Sequence, residues 1–266
     1  MTDLPHYELY AIRYATRPAM RRDHFLGGDP KDLPMPMDYF IWAAVSPQHT
    51  FVIDTGFSHA FAAKLGRSLL RCPIETLPLI GIDPAKVQDV ILTHLHYDHA
   101  GNLGKFPQAR FHLQKRELEF AVGPYLRYER LAFAYDVEQI VETVRLSFAR
   151  RIFFHDGDTE IAPGLSLHLA GGHAHGLQFV RAHTRRGWVV IASDVAHFDE
   201  NIRAERPFPI AFHIGDMLKG FTKAKALADT ADHIVPGHDP AVMMRYPSPS
   251  KELEGVAVRL DLPPLG

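Results

Sequence analysis

The stretch Asp89-Val-Ile-Leu-Thr-His-Leu-His-Tyr-Asp-His99 decides how the chain reads. Asp89 to Thr93 is a short apolar run rich in branched residues, the mark of a buried strand, and it leads straight into His94. In an extended backbone alternate residues share a face, so His94, His96 and Asp98 point the same way. A turn at Asp98-His99 brings His99 round to the same cavity. The cluster therefore offers two imidazoles to one cation, and a carboxylate with an imidazole to a second. The chain has 17 histidines in 266 residues. At that frequency such a pattern arises by chance in about half a per cent of chains this long, so a merely His-rich polar loop is a poor reading.

Four ligands do not close two sites, because each catalytic metal takes three or four protein ligands and keeps a position for water. The missing ligands are sought at later strand ends, and three candidates stand there. His173 lies in Gly171-Gly-His-Ala-His-Gly176, after a strand ending near Leu169. Asp194 closes the apolar run Val189-Val-Ile-Ala-Ser-Asp194, and His238 follows His233-Ile-Val in Pro236-Gly-His238. His175 competes as a ligand, but its spacing from Gly176 favours His173.

Working outward, residues 7–15, 37–45 and 51–54 read as strands, and Ser58 to Leu70 as a helix with Ser58 as N-cap. Residues 115–150 read as mostly helical, a lid or an interface. Within them Val137, Ile140, Val141, Val144 and Phe148 form an apolar stripe at helical spacing. Strands follow near 151–154, 165–169, 177–183 and 188–193. Ile214, Met217, Leu218 and Phe221 mark a second amphipathic helix, and a last strand starts at His233. No internal repeat or low-complexity linker interrupts the chain, so residues 1–266 read as one domain. Runs of strands with helices between them predict an α/β fold of two sheets covered by helices, an αββα sandwich.

Apolar residues make up 46% and charged residues 23% of the chain, an ordinary globular balance. The net charge of −2 provides no basic field for nucleic acid, and the pairs Arg21-Arg22, Arg150-Arg151 and Arg185-Arg186 read as solvated surface. No window approaches the roughly 18 apolar residues of a membrane span. Cys72 stands alone, which rules out an internal disulfide framework. The first residues show no basic segment followed by an apolar one, and with the lone cysteine this predicts a cytoplasmic protein.

The sequence resembles the metallo-β-lactamase superfamily, from Phe51-Val-Ile-Asp-Thr-Gly56 to Pro236-Gly-His-Asp239. Within it the chain is most similar to the N-acyl-homoserine lactonases, the quorum-quenching lactonases. Its size, Pro34-Met-Pro-Met-Asp-Tyr-Phe40, Thr93-His-Leu-His-Tyr-Asp-His-Ala-Gly-Asn102 and the ending Pro-Gly-His-Asp-Pro240 carry that likeness. The resemblance implies two divalent metal ions per chain, zinc foremost, with manganese, iron and cobalt also suited to a His/Asp set. It assigns His94, His96 and His173 to one ion and Asp98, His99 and His238 to the other, with Asp194 bridging. Asp54 matches a position that orients the ligands. The implied reaction is attack of a metal-bridging hydroxide on a lactone carbonyl, with Asp98 or Asp194 relaying a proton.

These lactonases often carry a tyrosine three residues after the bridging aspartate, aimed at the substrate carbonyl. Here His197 stands there and would donate through a ring N–H. The implied partner is a small-molecule lactone, and the resemblance also admits a homodimer. The alternative on the same scaffold is a different lactonase or esterase, or a thioesterase of glyoxalase II type. A non-catalytic metal-binding protein fits less well, because the ligand set leaves an open position.

Overall fold

A computed structural model describes residues 4–265; the first three residues, part of the segment read for a leader, lie outside the described residues. Thirteen strands form two sheets. Residues up to 155 supply β1 (Glu8–Arg17), β2 (Met37–Val45), β3 (Thr50–Ile53), β4 (Ser68–Leu69), β5 (Asp89–Ile91), β6 (Arg110–Gln114) and β7 (Ile152–His155). Those beyond supply β8 (Thr159–Ala162), β9 (Leu165–Leu169), β10 (Gln178–Thr184), β11 (Gly187–Ser193), β12 (Ile234–Pro236) and β13 (Ala257–Arg259). The larger sheet runs β13-β1-β2-β3-β5-β6-β7, with β4 added against β1; the smaller runs β12-β11-β10-β9-β8. Pairing is antiparallel through β1, β2 and β3, then parallel from β3 to β7.

Strand alternation builds the layers. Leu9 and Ala11 of β1, Phe40 and Trp42 of β2, and Val189 and Ile191 of β11 meet between the sheets. Their neighbours Tyr10, Ile12, Tyr39 and Ile41 face the opposite way, toward helices on the outside of the larger sheet. Val190 and Ala192 face Met217, Phe221 and Ala224 outside the smaller one. The predicted sandwich of two sheets between helical layers is the observed architecture.

Three local expectations need correction. The helix expected from Ser58 to Leu70 is α1 (His59–Leu65), capped as predicted by the Ser58 hydroxyl, which accepts from the Phe61 N–H at 3.2 Å. It stops at Gly66, whose φ of 60° is left-handed and ends the helix, and Ser68–Leu69 then pairs with β1. The helical stretch over 115–150 is broken into α2 (Lys115–Ala121), short turns from Pro124 to Ala132, and α3 (Val137–Phe148). Gly123-Pro124 interrupts it, since proline provides no N–H to continue the ladder.

The apolar stripe on α3 coincides with its buried face only at Ile140. Gln139, Ile140, Thr143 and Leu146 are buried, while Val137 and Phe148 are 71% and 87% exposed. The helix is turned so that Gln139 Nε2 donates to the Tyr97 carbonyl at 3.4 Å, a demand that an apolar face would leave unmet. Strands β4, β6, β8 and β13 were not predicted at all.

These packing roles make distinct expectations. Leu167→Ala, between the sheets, should lower unfolding free energy by about 2–5 kcal/mol, and Phe148→Ser by less than about 0.5 kcal/mol. Urea denaturation of the two variants checks both values. A large loss from Phe148→Ser would mean that the outer face of α3 is covered.

Candidate metal centre

The parallel part of the larger sheet and the end of the smaller one bring their C-terminal edges to one rim. His94, His96, Asp98 and His99 sit on the loop after β5, His173 after β9, Asp194 directly after β11, and His238 after β12. All seven side chains are buried. His94, His96 and His173 converge within 4.8 Å, as do Asp98, His99 and His238. Asp194 reaches both sets: one oxygen lies 3.2 Å from His173 Nε2, the other 3.3 Å from His99 Nε2 and 3.2 Å from His238 Nε2. The two groups implied by the resemblance are therefore brought together, with Asp194 between them.

Whether these groups suit a cation can be judged from their hydrogen bonds. His173 Nδ1 donates to the Ile210 carbonyl at 2.7 Å, His238 Nδ1 to the Asp38 carbonyl at 2.8 Å, and His99 Nδ1 to Asp54 Oδ2 at 2.7 Å. With Nδ1 carrying the proton outward, each Nε2 turns a lone pair inward. His99 Nε2 is buried without a hydrogen-bond partner. Separations of 3.2–3.7 Å among Asp98, Asp194, His99, His173 and His238 match the edges of a ligand polyhedron. A tetrahedron with bonds of about 2.1 Å has edges of about 3.4 Å. The nitrogen and oxygen donors suit a divalent metal.

The support behind the ligands was only partly foreseen. Asp54 is fully buried and accepts from the Thr93 N–H at 2.7 Å and the Thr93 hydroxyl at 2.8 Å, besides His99. Burial raises this carboxyl, but the three donors fit an ionised carboxylate, which accepts without donating. Asp54 and Ser193 both take left-handed backbone, with φ of 60° and 46°. Strained residues thus stand beneath the first ligand loop and immediately before Asp194.

Glu117 was missed. Its buried carboxyl accepts from the Leu95 N–H at 3.1 Å, the Gly176 N–H at 2.7 Å and the Tyr135 hydroxyl at 3.0 Å, tying the His94–His96 loop to the His173 loop. A Cβ on Gly176 would lie 2.5 Å from the Glu117 nitrogen, so this approach requires glycine. Nothing in the sequence marks a glutamate in the first turn of a helix as special.

His175 is separate from both sets and packs against Phe120 and Phe212. His197 is buried at the centre, stacked on Phe208 at 3.6 Å, with Nε2 at 2.9 Å from Asp194 Oδ2. Burial depresses its pKa to about 3, against the pull of Asp194. It is therefore a neutral imidazole whose Nε2–H donates to the carboxylate. Residues 133 and 134 complete the rim: Phe133 and Ala134 line the cavity, and Tyr135 makes a bridge to His96. The broken helical segment thus forms one wall of the site.

Residues 36–238 match the family model described as the metallo-beta-lactamase superfamily. The chain belongs to that superfamily. An N-acyl homoserine lactonase of Bacillus cereus is 29% identical over 136 residues, 51% of this chain and 49% of that protein. The N-acyl homoserine lactonase AttM of Azorhizobium caulinodans is 28% identical over 183 residues, 63% and 64% of the two chains. The chain thus spans about half to two thirds of the length of these curated relatives. A solved N-acyl homoserine lactone hydrolase with N-hexanoyl-L-homoserine at its catalytic metal centre superposes with a TM-score of 0.76 at 21% identity, over 91% of this chain and 96% of that one. AidC, a dizinc quorum-quenching lactonase, gives 0.69 at 18% identity, over 90% and 89%. At these identities the structural likeness establishes the shared fold.

The electrostatics divide the cluster. Burial, then the neighbouring imidazoles, pushes His94 and His96 well below the ordinary histidine range. Burial would depress His99 and His238 too, but Asp98 and Asp194 outweigh it and raise both. Without metal, the two carboxylates therefore favour the protonated forms of His99 and His238. The stabilisation they give is present below the ordinary histidine value and is lost as pH rises through the raised values. Metal loading must expel whatever protons these two imidazoles hold, and the number released per chain should rise as pH falls through their raised values. Calorimetric metal titrations in buffers of different ionisation enthalpy measure that number. Binding without proton release would contradict the assignment of His99 and His238 as ligands.

Proposed function

We propose that this chain is a dinuclear metal-dependent lactonase that opens the ring of N-acyl-homoserine lactones. The observation that carries the reading is the pair of three-residue sets with Asp194 between them, opening into a cavity of 110 Å³. The named activities of the relatives support the choice of lactone over other esters. In this reading His94, His96 and His173 hold one ion, Asp98, His99 and His238 the other, and Asp194 both. Zinc is the expected metal, and a reducing cytoplasm, supported by the free Cys72, the expected setting.

When bound, divalent ions supply an acidified water and Lewis-acid polarisation of the carbonyl. The chain's own residues do the rest. Asp98 lies on the cavity wall and is held ionised by His99 and His238 against the effect of burial, so it can accept the proton that the attacking hydroxyl gives up and pass it to the leaving alkoxide. His197 also lines the cavity, and its N–H serves the substrate carbonyl when it turns from Asp194. Phe133 and Ile210 give the remaining wall an apolar surface for the acyl group.

The direct test is a panel of N-acyl-homoserine lactones, a glutathione thioester and a β-lactam, with metal content measured on the same dialysed sample. About two ions per chain and ring opening of the lactones are expected. Turnover of the thioester alone would shift the reading to a glyoxalase II type of enzyme, and active protein with one ion would end the dinuclear assignment.

His197 separates two further outcomes. His197→Ala should lower lactone turnover about 10- to 1000-fold, the scale of one oxyanion donor, with metal content unchanged. His197→Tyr should recover much of the rate, because a phenol O–H can meet the same acceptor. Asp194→Asn should lose metal and activity together. A His197→Ala variant that loses metal as well would make His197 a support for Asp194 and not a donor to substrate.

A further inference from the structure

The cavity beside the metal centre carries two arginines that neither its ligands nor the proposed chemistry use. Arg17 ends β1, and Arg67 lies just before β4; both line the cavity together with Tyr39 and Tyr97. β1 and β4 are antiparallel, with Ala15 opposite Leu69 and Thr16 opposite Ser68. Continuing that register by one residue sets Arg17 opposite Arg67. Like charges facing each other across a strand pair repel, so the arrangement lowers stability unless something answers it.

No carboxylate among the described residues lies within ion-pair distance of either one, whereas nine other arginines pair with a carboxylate, as Arg21 does with Asp29 and Glu200. The Nε atoms of both Arg17 and Arg67 are buried without a hydrogen-bond partner. The one contact of the Arg17 fork is a weak one, from Nη2 to the Met37 sulfur at 3.3 Å. The Arg67 guanidinium has no carboxylate partner among the described residues; burial works against its charge, and Tyr39, Tyr97 and Asp98 outweigh that effect and keep it. Asp98 is itself committed to the metal centre. Two planar guanidinium groups with unmet donors at the wall of a reactive cavity make a receptor for an oxyanion.

The cavity's size narrows the ligand further. Its 110 Å³ is small beside the roughly 300–1,000 Å³ of pockets that enclose drug-sized molecules, so a long neutral acyl chain has little room in it.

We infer that the preferred substrate carries a carboxylate a few atoms from the ring, held between Arg17 and Arg67 while the ring carbonyl faces the metal centre. The inference rests on the lactonase reading for the reaction, but its binding half stands apart from turnover. The probes are N-succinyl-homoserine lactone, its neutral methyl ester, and the two corresponding γ-lactams, which do not open.

In steady-state assays the acid should exceed the ester in kcat/KM by about 10- to 100-fold, the range of a charge-assisted pair. Calorimetry on metal-loaded protein should give the acid lactam the same advantage over its ester. In Arg67→Gln and in the double variant Arg17→Gln/Arg67→Gln, with metal content verified, both ratios should fall toward one. A binding preference with neither lactone opened would remove the lactonase reading and keep the carboxylate site. Equal binding of acid and ester lactams by the unaltered protein, or a preference that survives in the double variant, would overturn the carboxylate site even if both lactones are opened.

Discussion

One buried carboxylate holds the rim together. Asp54 follows β3, receives both donors of Thr93 beyond β5, and fixes the ring of His99 beyond the turn. Three segments that share no local sequence are thereby locked at a single point, in a place no water reaches. An unpaired carboxylate there would be prohibitive, so the network is stable only when complete. The left-handed backbone at Asp54 is the local expense of aiming that carboxylate inward. Around this point the other supports are additions: Tyr14 donates to the Asp98 carbonyl at 2.8 Å, and the Thr93 hydroxyl lies 3.0 Å from that of Ser193 at the neighbouring sheet.

The clustered histidines and aspartates were legible because metal chemistry would restrict such a set to few residue types and the fold delivers them at strand ends. His94, His96, Asp98 and His99 declare themselves by spacing, and His173, Asp194 and His238 by following apolar strands. The central strands were legible for a similar reason, since β2 and β11 are buried on both faces and read as continuous apolar runs. Legibility failed where tertiary demands override local pattern. The buried face of α3 takes in the polar Gln139 and Thr143, which the helix's own apolar stripe does not announce. Glu117 acts through two backbone N–H groups far away in sequence, a relation that no motif records. Arg17 and Arg67 are unremarkable as letters and acquire meaning only through the register of β1 with β4.

The two halves of the centre are electrically different, although both are built from imidazoles. His94 and His96 stand among other histidines and are driven neutral, whereas His99 and His238 stand against two carboxylates and are driven positive. The carboxylates thus have partners that favour a proton before any cation arrives, which eases the like-charge penalty of two buried acids in a folded chain. Burial and pairing together keep the site assembled in a form that a cation can enter by exchange.

The order in which the chain can be built follows from where its ligands lie. His94 belongs to the larger sheet and His238 to the last strand of the smaller one, with the greater part of the polypeptide between them. Contacts of such long sequence separation form late, after both sheets have found their registers. A growing chain that has made only its first ligand loop can offer a cation four donors but no closed cage. The full set of donors is thus complete only once both sheets have formed, so any cation that needs all of them must wait for the finished fold.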